Sequence, residues 1–498
     1  MKRLGALVGV SLAAVVASCA LLLDFEELQG GGQDASLGGT SSGGAGGSAG
    51  SAGDAAAGSG GTGAGGSGGA GGSDGGPPEC QQASDCDDDD PLTSDACDAS
   101  RCVYAPVGTA VVDGFVLDQP TPRALRVTLA SFGDQVVVST FAAGVGVRET
   151  KLHTFAAQAP NPVFDATTDV LSLLVSLPDG GVSDESPGSA VGMLEVAGQL
   201  HAFFTTFKSV VHTKVWHVLL DSSLGLVGSP TLVTTPANAL TYDVGLTAQS
   251  RQVPLPVIVN NDQVAAAYVR YNGNVELRGP TGGYGTFDVG ADYVAPVSVP
   301  GGSGLAYLKS NSSTYAWRVG GTTQEHTACY QQGTSWSPLS VTSPVPGLTF
   351  SVYSSNTFGS YRTDARAFFC DTTGCLVVPT AASDCPSIST EFVRNPAIHG
   401  VLTSAKPKQG VRVRLASVFP AVTGNTTNLY LNTGFADVAD DASSGAYPTV
   451  IVKTDTGPAG STADYPAVLV VGDRVFVAWI SGSGGSELVH LRRYRLLP

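Results

Sequence analysis

The feature that most constrains this chain is a motif repeated irregularly from about Val107 to Pro498: a β-rich run, a Gly, Asp or Asn turn, a second β-rich run, then a polar loop. Such turn-punctuated runs read as hairpins. The last copy is the clearest. Ala467–Val471 leads into Gly472-Asp473, then Arg474–Ile480, the loop Ser481–Ser486 and a final run Glu487–Leu496. Related units centre on Arg126–Thr140 (turn Gly133-Asp134), Gly192–Phe204 (Gly198-Gln199), Pro256–Tyr271 (Asn261-Asp262) and Pro296–Leu308 (Gly301-Gly302). Ala365–Val377 and Val411–Val418 fit more loosely. Counted loosely there are seven units, spaced about 56 residues apart between Gly133 and Gly472.

No long amphipathic helix interrupts these units, so the fold class is all-β. A few short strands per unit, repeated, are the sequence sign of a β-propeller, in which each blade buries one face on its neighbour. The expectation is a propeller over residues 107–498 with about seven blades, six to eight being compatible with the spacing. The runner-up is two consecutive β-sandwiches. Within the last unit, alternation puts Val475, Val477 and Trp479 on one face, with Arg474, Phe476, Ala478 and Ile480 nearer the other.

The N-terminal quarter has a different composition. Lys2 and Arg3 precede an apolar run, Leu4–Ser18, short for a membrane-spanning helix and about right for a signal peptide. Val16-Ala17-Ser18-Cys19 resembles the bacterial lipobox, which implies a signal over residues 1–18, acylation of the Cys19 thiol and an acylated N-terminus over 19–29. Ala20 stands at the next position rather than Asp, which in Gram-negative lipoproteins implies the outer membrane. Residues 30–78 are almost all Gly, Ser, Ala and Thr and cannot bury enough apolar surface to offset ordering entropy. They read as a disordered tether whose ends lie roughly 40 Å apart on average. The G-x-G-x-x-G matches inside it follow from composition, since no strand precedes them and no helix follows.

Net charge of −16 is unevenly placed. Residues 79–102 carry eight acidic side chains against Arg101 alone, whereas the chain from Val103 onward holds 28 acidic and 23 basic residues. The large domain is therefore nearly balanced and offers no basic face for nucleic acid.

Nine cysteines become eight once Cys19 is set aside, in two groups of four: Cys80, Cys86, Cys97, Cys102 and Cys329, Cys370, Cys375, Cys385. Even groups in an exported chain argue for disulfides, and neither group has the C-x-x-C or histidine spacing of zinc sites. Each group of four allows three pairings. In the second group, the turn-like centre of Cys370-Asp-Thr-Thr-Gly-Cys375 makes a local bridge plausible, leaving Cys329 for Cys385. Asp85, Asp87, Asp88, Asp89 and Asp90 are weak Ca²⁺ candidates, because the EF-hand glycine and terminal Glu are absent; a solvated acidic loop is the favoured reading and no cofactor is expected.

Residues 79–106 form a Cys-rich acidic module. Asp85-Cys86-Asp87-Asp88, Pro91, Thr93, Asp95, Cys97-Asp98 and Cys102 resemble the short Cys-rich modules that follow Gly-rich tethers in myxobacterial surface proteins. Leu92 stands where that pattern has a cysteine, which puts one of its cross-links in doubt. The resemblance implies lineage and surface display but no activity.

Few residues point to chemistry. His153, His201, His212, His217, His326, His399 and His490 are scattered singly and read as ordinary strand or loop residues; the odd offset between His212 and His217 sends them to opposite faces of a strand. No H-E-x-x-H, Walker loop or G-x-S-x-G is present, and Gly482-Ser483-Gly484-Gly485 reads as a hairpin loop. Gly333-Thr334-Ser335-Trp336 is like the end of a sialidase Asp-box, but Gln331 stands where the defining Asp belongs. Of Arg362, Arg366, Arg412 and Arg414, the last two share a strand face and are weighed as an anion grip against a solvated face, which is favoured. The expectation is a lipid-anchored, surface-exposed outer-membrane protein displaying a non-catalytic propeller to a polysaccharide or surface protein; the alternative is a divergent carbohydrate-active hydrolase.

Overall fold

The computed structural model describes residues 80–496 apart from connecting stretches, of which the longest are 176–184, 234–256, 328–334, 378–391, 404–410, 439–450 and 459–465. The proposed signal, Cys19 and the tether lie outside the described residues, as do Asp87–Asp90, Gln331, Cys329 and Cys385.

The Cys-rich module is an antiparallel hairpin, Thr93–Asp98 with Arg101–Pro106, preceded by the short 3₁₀ turn Ala83–Cys86. Disulfides Cys80–Cys97 and Cys86–Cys102 staple the turn to the two strands, closing sequence separations of 17 and 16 residues. Asp85 accepts hydrogen bonds from the Gln81 and Gln82 backbone N–H groups at 2.9 and 3.1 Å. Those bonds hold its carboxyl below the usual range and commit it to the turn.

Beyond the module, the described residues form seven antiparallel sheets. We number them along the chain: sheet 1 over residues 124–169, sheet 2 over 186–232, sheet 3 over 257–288, sheet 4 over 291–327, sheet 5 over 335–377, sheet 6 over 392–458, and sheet 7 over 467–496. Sheet 7 is completed by Ala110–Pro120, the strand that comes before sheet 1 in sequence. Each sheet has four strand positions. In sheets 2, 5 and 6 the first position is shared by two short segments along one edge of the same neighbour: Ser186–Pro187 and Gly192–Val196, Ser335–Trp336 and Ser340–Val345, Phe392–Val393 and Ala397–Leu402.

Apolar side chains join each sheet to the next and explain why the middle strands are hydrophobic on both faces, as strands buried on both sides must be. Sheets 1 and 2 share Phe132, Val137, Leu200, Phe204 and Trp216. Phe203 and Val215 meet Val264 and Tyr268 between sheets 2 and 3. Leu277 meets Leu305 and Tyr307 between sheets 3 and 4, and Trp317 meets Leu339 and Cys370 between sheets 4 and 5. Phe350 and Val352 pack on Val413 and Leu415 between sheets 5 and 6. Val418 and Leu431 pack on Val477 and Trp479 between sheets 6 and 7. Finally Phe476 and Ile480 of sheet 7 meet Val136 and Phe155 of sheet 1. The succession closes on itself, which is the propeller arrangement rather than a pair of sandwiches. The innermost strands confirm the circuit: Ala124–Phe132, Gly192–Val196, Val257–Asn260, Ala291–Val299, Ser340–Val345, Ala397–Leu402 and Ala467–Val471 touch in turn, and the last touches the first.

Each repeat unit read from the sequence falls in a different sheet. The predicted two faces of Arg474–Ser481 are found, with Val475, Val477 and Trp479 toward sheet 6 and Phe476, Ala478 and Ile480 toward sheet 1. Two turns are displaced by one residue: Val196 pairs with Gln199 and Val299 with Gly302, so Gln199 and Gly302 each begin a strand and do not form part of the turn.

Candidate functional site

The innermost ring comes first, because that is where a propeller presents an axial mouth. Its strands are rich in Ala, Val, Ser and Thr, and three of their charged or titratable side chains, Glu195, Arg126 and His399, are engaged locally, whereas the Asp292 side chain is outside the described residues. The Glu195 carboxylate accepts the Gly133 N–H at 2.8 Å, bracing the turn of sheet 1. Arg126 donates to the Leu125 carbonyl at 2.7 Å. His399 Nδ1 accepts the Val470 N–H at 3.2 Å across the seam between sheets 6 and 7, and burial lowers its pKa to about 4.

Three polar assemblies lie farther out. In sheet 3, Glu276 is only 1% exposed yet ionically partnered on both oxygens. Arg270 Nε lies 2.5 Å from Oε1, Arg278 Nε lies 2.6 Å from Oε2, and the Tyr268 hydroxyl donates to Oε2 at 2.8 Å. Tyr268 and Glu276 face each other across paired strands, and burial together with the neighbouring carboxylate raises the phenol pKa far above its ordinary value. In sheet 2, Glu185 pairs with Lys214 and accepts the Thr206 hydroxyl at 2.5 Å, while Trp216 Nε1 donates to Thr206 at 2.8 Å.

The third assembly spans sheet 7. Ser481 Oγ lies 2.5 Å from His490 Nε2, and His490 Nδ1 lies 2.8 Å from Asp118 Oδ1. Arg492 donates to the same Asp118 oxygen at 2.8 Å. Trp479 packs against both side chains, with the His490 ring stacked at 5.0 Å and the Arg492 guanidinium 5.2 Å from its centroid. Strand pairing makes this arrangement: Asp118 and Trp479 both stand directly opposite His490, on the two strands that flank it. Partial burial opposes ionisation of Asp118, but hydrogen bonds and charge from Arg492 and His490 outweigh it and hold the carboxyl below its usual range.

Several sequence-level readings change. His201 and His217 are not isolated: Nδ1 of one lies 3.0 Å from Nε2 of the other, so one ring donates and the other accepts. Burial lowers the pKa of both, His217 to about 4. His153 is likewise buried, touching Thr167 at 2.9 Å and stacked on Phe164, with its pKa lowered to about 4. Arg412 and Arg414 do share a face, over the Phe435 ring, but Arg414 is buried and donates to the Gly472 carbonyl, so it braces a turn. Arg362, Arg366, His212 and His326 lie on strands whose side chains at those positions are outside the described residues. Cys80, Cys86 and Cys102 lie close enough to suggest a metal cluster, but their sulfurs are spent in the two disulfides. Cys370 is also disulfide-bonded and stands opposite Cys375 across paired strands.

Sequence reasoning missed Asp118, Ser481 and His490 as a group because 372 residues separate Asp118 from His490. The usable signal was ring closure: a propeller's first and last β-rich runs are expected to pair.

No protein-family model matches this chain, and no curated protein matches it. Solved structures similar to it include Trypanosoma rangeli sialidase, at 10% identity over 80% of this chain and 57% of that one, with a TM-score of 0.36. A mutant of NanB sialidase from Streptococcus pneumoniae is 10% identical over 79% of this chain and 71% of that one, TM-score 0.36. Pyrococcus horikoshii acylaminoacyl peptidase is 8% identical over 74% and 50%, TM-score 0.37. The chain thus spans little more than half of the first of these, and likeness at this level says nothing of activity.

Proposed function

We propose that this chain is a lipid-anchored surface protein whose seven sheets act as the blades of a propeller displayed for ligand binding, adhesion or scaffolding. The observation that supports display over turnover is the inner ring. Its strands are mostly small and apolar, and Glu195, Arg126 and His399 are each bonded to a main-chain group of the ring's own hairpins and seams. Groups so engaged orient strands and are not poised for acid–base work on a bound sugar. The Gly-rich stretch serves as the tether, and Cys19 as the acylated residue that holds it to the outer membrane, where several acyl chains anchor firmly and a single one does not.

The test is made on the whole chain expressed in a Gram-negative host. Labelled palmitate should enter the wild type and not Cys19→Ser, with the wild type fractionating with outer membrane. The purified chain is then incubated with a panel of polysaccharides, scoring retention and released products in the same tubes. Saturable retention without products supports the reading. Product release turns it toward a carbohydrate-active hydrolase, and absence of palmitate removes the anchor.

A further inference from the structure

We propose that Ser481, His490 and Asp118 form an acyl-transfer site on the outer part of sheet 7, hydrolysing short carboxylic esters such as O-acetyl groups. This goes beyond axial ligand binding and uses none of the inner-ring residues.

The geometry is that of an activated serine: nucleophile hydrogen-bonded to a base, base oriented by a carboxylate. With Asp118 ionised, His490 carries its proton on Nδ1, 2.8 Å from Oδ1, which leaves Nε2 as the acceptor for the Ser481 hydroxyl at 2.5 Å. Trp479 stacks on the imidazole and fixes its plane. Arg492 anchors the carboxylate at the same oxygen, Oδ1. The neighbours that face the imidazole are therefore one carboxylate, one guanidinium, one hydroxyl and an indole.

Ser481 is the last residue of its strand and opens the loop 482–487. That loop is held in place rather than hanging free. Glu487 accepts the Gly485 N–H at 3.1 Å and the Arg123 N–H at 2.5 Å, while Thr121 N–H donates to the Glu487 carbonyl at 3.0 Å. Ser486 Oγ closes the turn onto the Ser483 carbonyl at 2.8 Å. Gly482, Gly484 and Gly485 all have positive φ, so a fixed loop with backbone N–H groups at Ser483 and Gly484 follows directly on the nucleophile. Such N–H groups are the usual donors to a developing oxyanion. Ser481 is half-buried, Asp118 is 43% exposed, and Ser483 and Gly484 are exposed, so the site opens to solvent and suits a small acyl group on a large carrier.

The step balances without a co-reactant other than water. Ser481 Oγ bonds to the ester carbonyl carbon as its proton passes to His490 Nε2. The bond from carbon to the alcohol oxygen breaks, and that oxygen takes the proton from Nε2. Water then attacks the acyl-serine, giving its proton to Nε2. The acyl–Oγ bond breaks, Oγ regains the proton, and the carboxylic acid leaves.

The test uses the whole chain with a fluorophosphonate probe and p-nitrophenyl acetate. The expected result is covalent labelling mapped to Ser481, with p-nitrophenol release that Ser481→Ala and His490→Gln each lower at least ~100-fold, while Ser223→Ala, in an exposed turn of sheet 2, leaves both unchanged. Asp118→Asn should lower the rate and leave Ser481 slowly labelled. Urea midpoints for each variant separate lost chemistry from lost fold. No label in the wild type, label mapping elsewhere, or release unaffected by Ser481→Ala would overturn the proposal. None of these outcomes touches axial binding, which the polysaccharide retention measures separately.

Discussion

The buried carboxylate of sheet 3 gives the sharpest stability prediction. Tyr268→Phe removes one oxygen and leaves the ring in place between sheets 2 and 3, so it opens almost no cavity. What is lost is a 2.8 Å hydrogen bond from a fully buried hydroxyl to a carboxylate that is itself 1% exposed. Hydrogen bonds to charged groups contribute about 1.5–3 kcal/mol. The lower half of that range applies here, because Arg278 Nε still reaches the same oxygen at 2.6 Å and Arg270 holds the other. The expected cost is therefore about 1.5–2 kcal/mol, a factor of roughly 10–30 in the folding equilibrium. Urea unfolding followed by tryptophan fluorescence reads it as a lower midpoint with an unchanged slope. In a Glu276→Gln background the same Tyr268→Phe change should cost less than half as much, since the charged acceptor is gone. A loss below about 0.5 kcal/mol, or the same loss in both backgrounds, would refute the assigned bond.

Acid should destabilise the ring in a defined window. His153, His217 and His399 have folded pKa values near 4, below the ordinary 6.5, so the unfolded chain takes up their protons first. Stability is then full above pH 6.5 and is lost as pH falls toward 4, by up to about 1.4 kcal/mol per pH unit per histidine; a flat urea midpoint from pH 7 to 4.5 would contradict this. Gly482→Ala places a Cβ 2.7 Å from the Ser486 carbonyl oxygen at φ +92°, and should cost about 1–3 kcal/mol in thermal unfolding. Gly304→Ala sets a Cβ 2.9 Å from the Arg318 carbonyl oxygen and from methyls of Val297 and Val319, with a similar expected loss. Reduction of Cys80–Cys97 and Cys86–Cys102 should loosen the module by about 3 kcal/mol per bridge, read as faster amide exchange at Ala96 and Val103.

The local rules of strand and turn carried most of the fold. Gly133-Asp134 and Gly472-Asp473 both sit at φ-positive glycine turns, and the period-2 alternation of Val475–Ile480 sorted the side chains onto the two faces that meet sheets 6 and 1. These signals depend on residues a few positions apart. The candidate site depends on residues far apart, and that is where the reading failed. Ser481 looked like the start of a glycine loop and His490 like a solitary histidine, because Asp118 enters only through strand pairing at the ring seam. His201 and His217 likewise meet only through the register of their two strands, which places Phe203 opposite His217. Arg414 had the right face but the wrong partner, since nothing local announces that the Gly472 carbonyl of another sheet comes within its reach.

The closure of sheet 7 also sets an order of events during synthesis. Ala110–Pro120 leaves the ribosome ahead of sheets 1 to 6, yet its partner, Leu488–Leu496, follows all of them. Until that final nine-residue segment arrives, the early strand is a bare edge able to template association with other chains. Sheets 1 to 6 can stack as they emerge, but the circle cannot shut before Leu488–Leu496 has emerged. A chain ending short of Leu488 would therefore carry every element of the stack and still lack its seam.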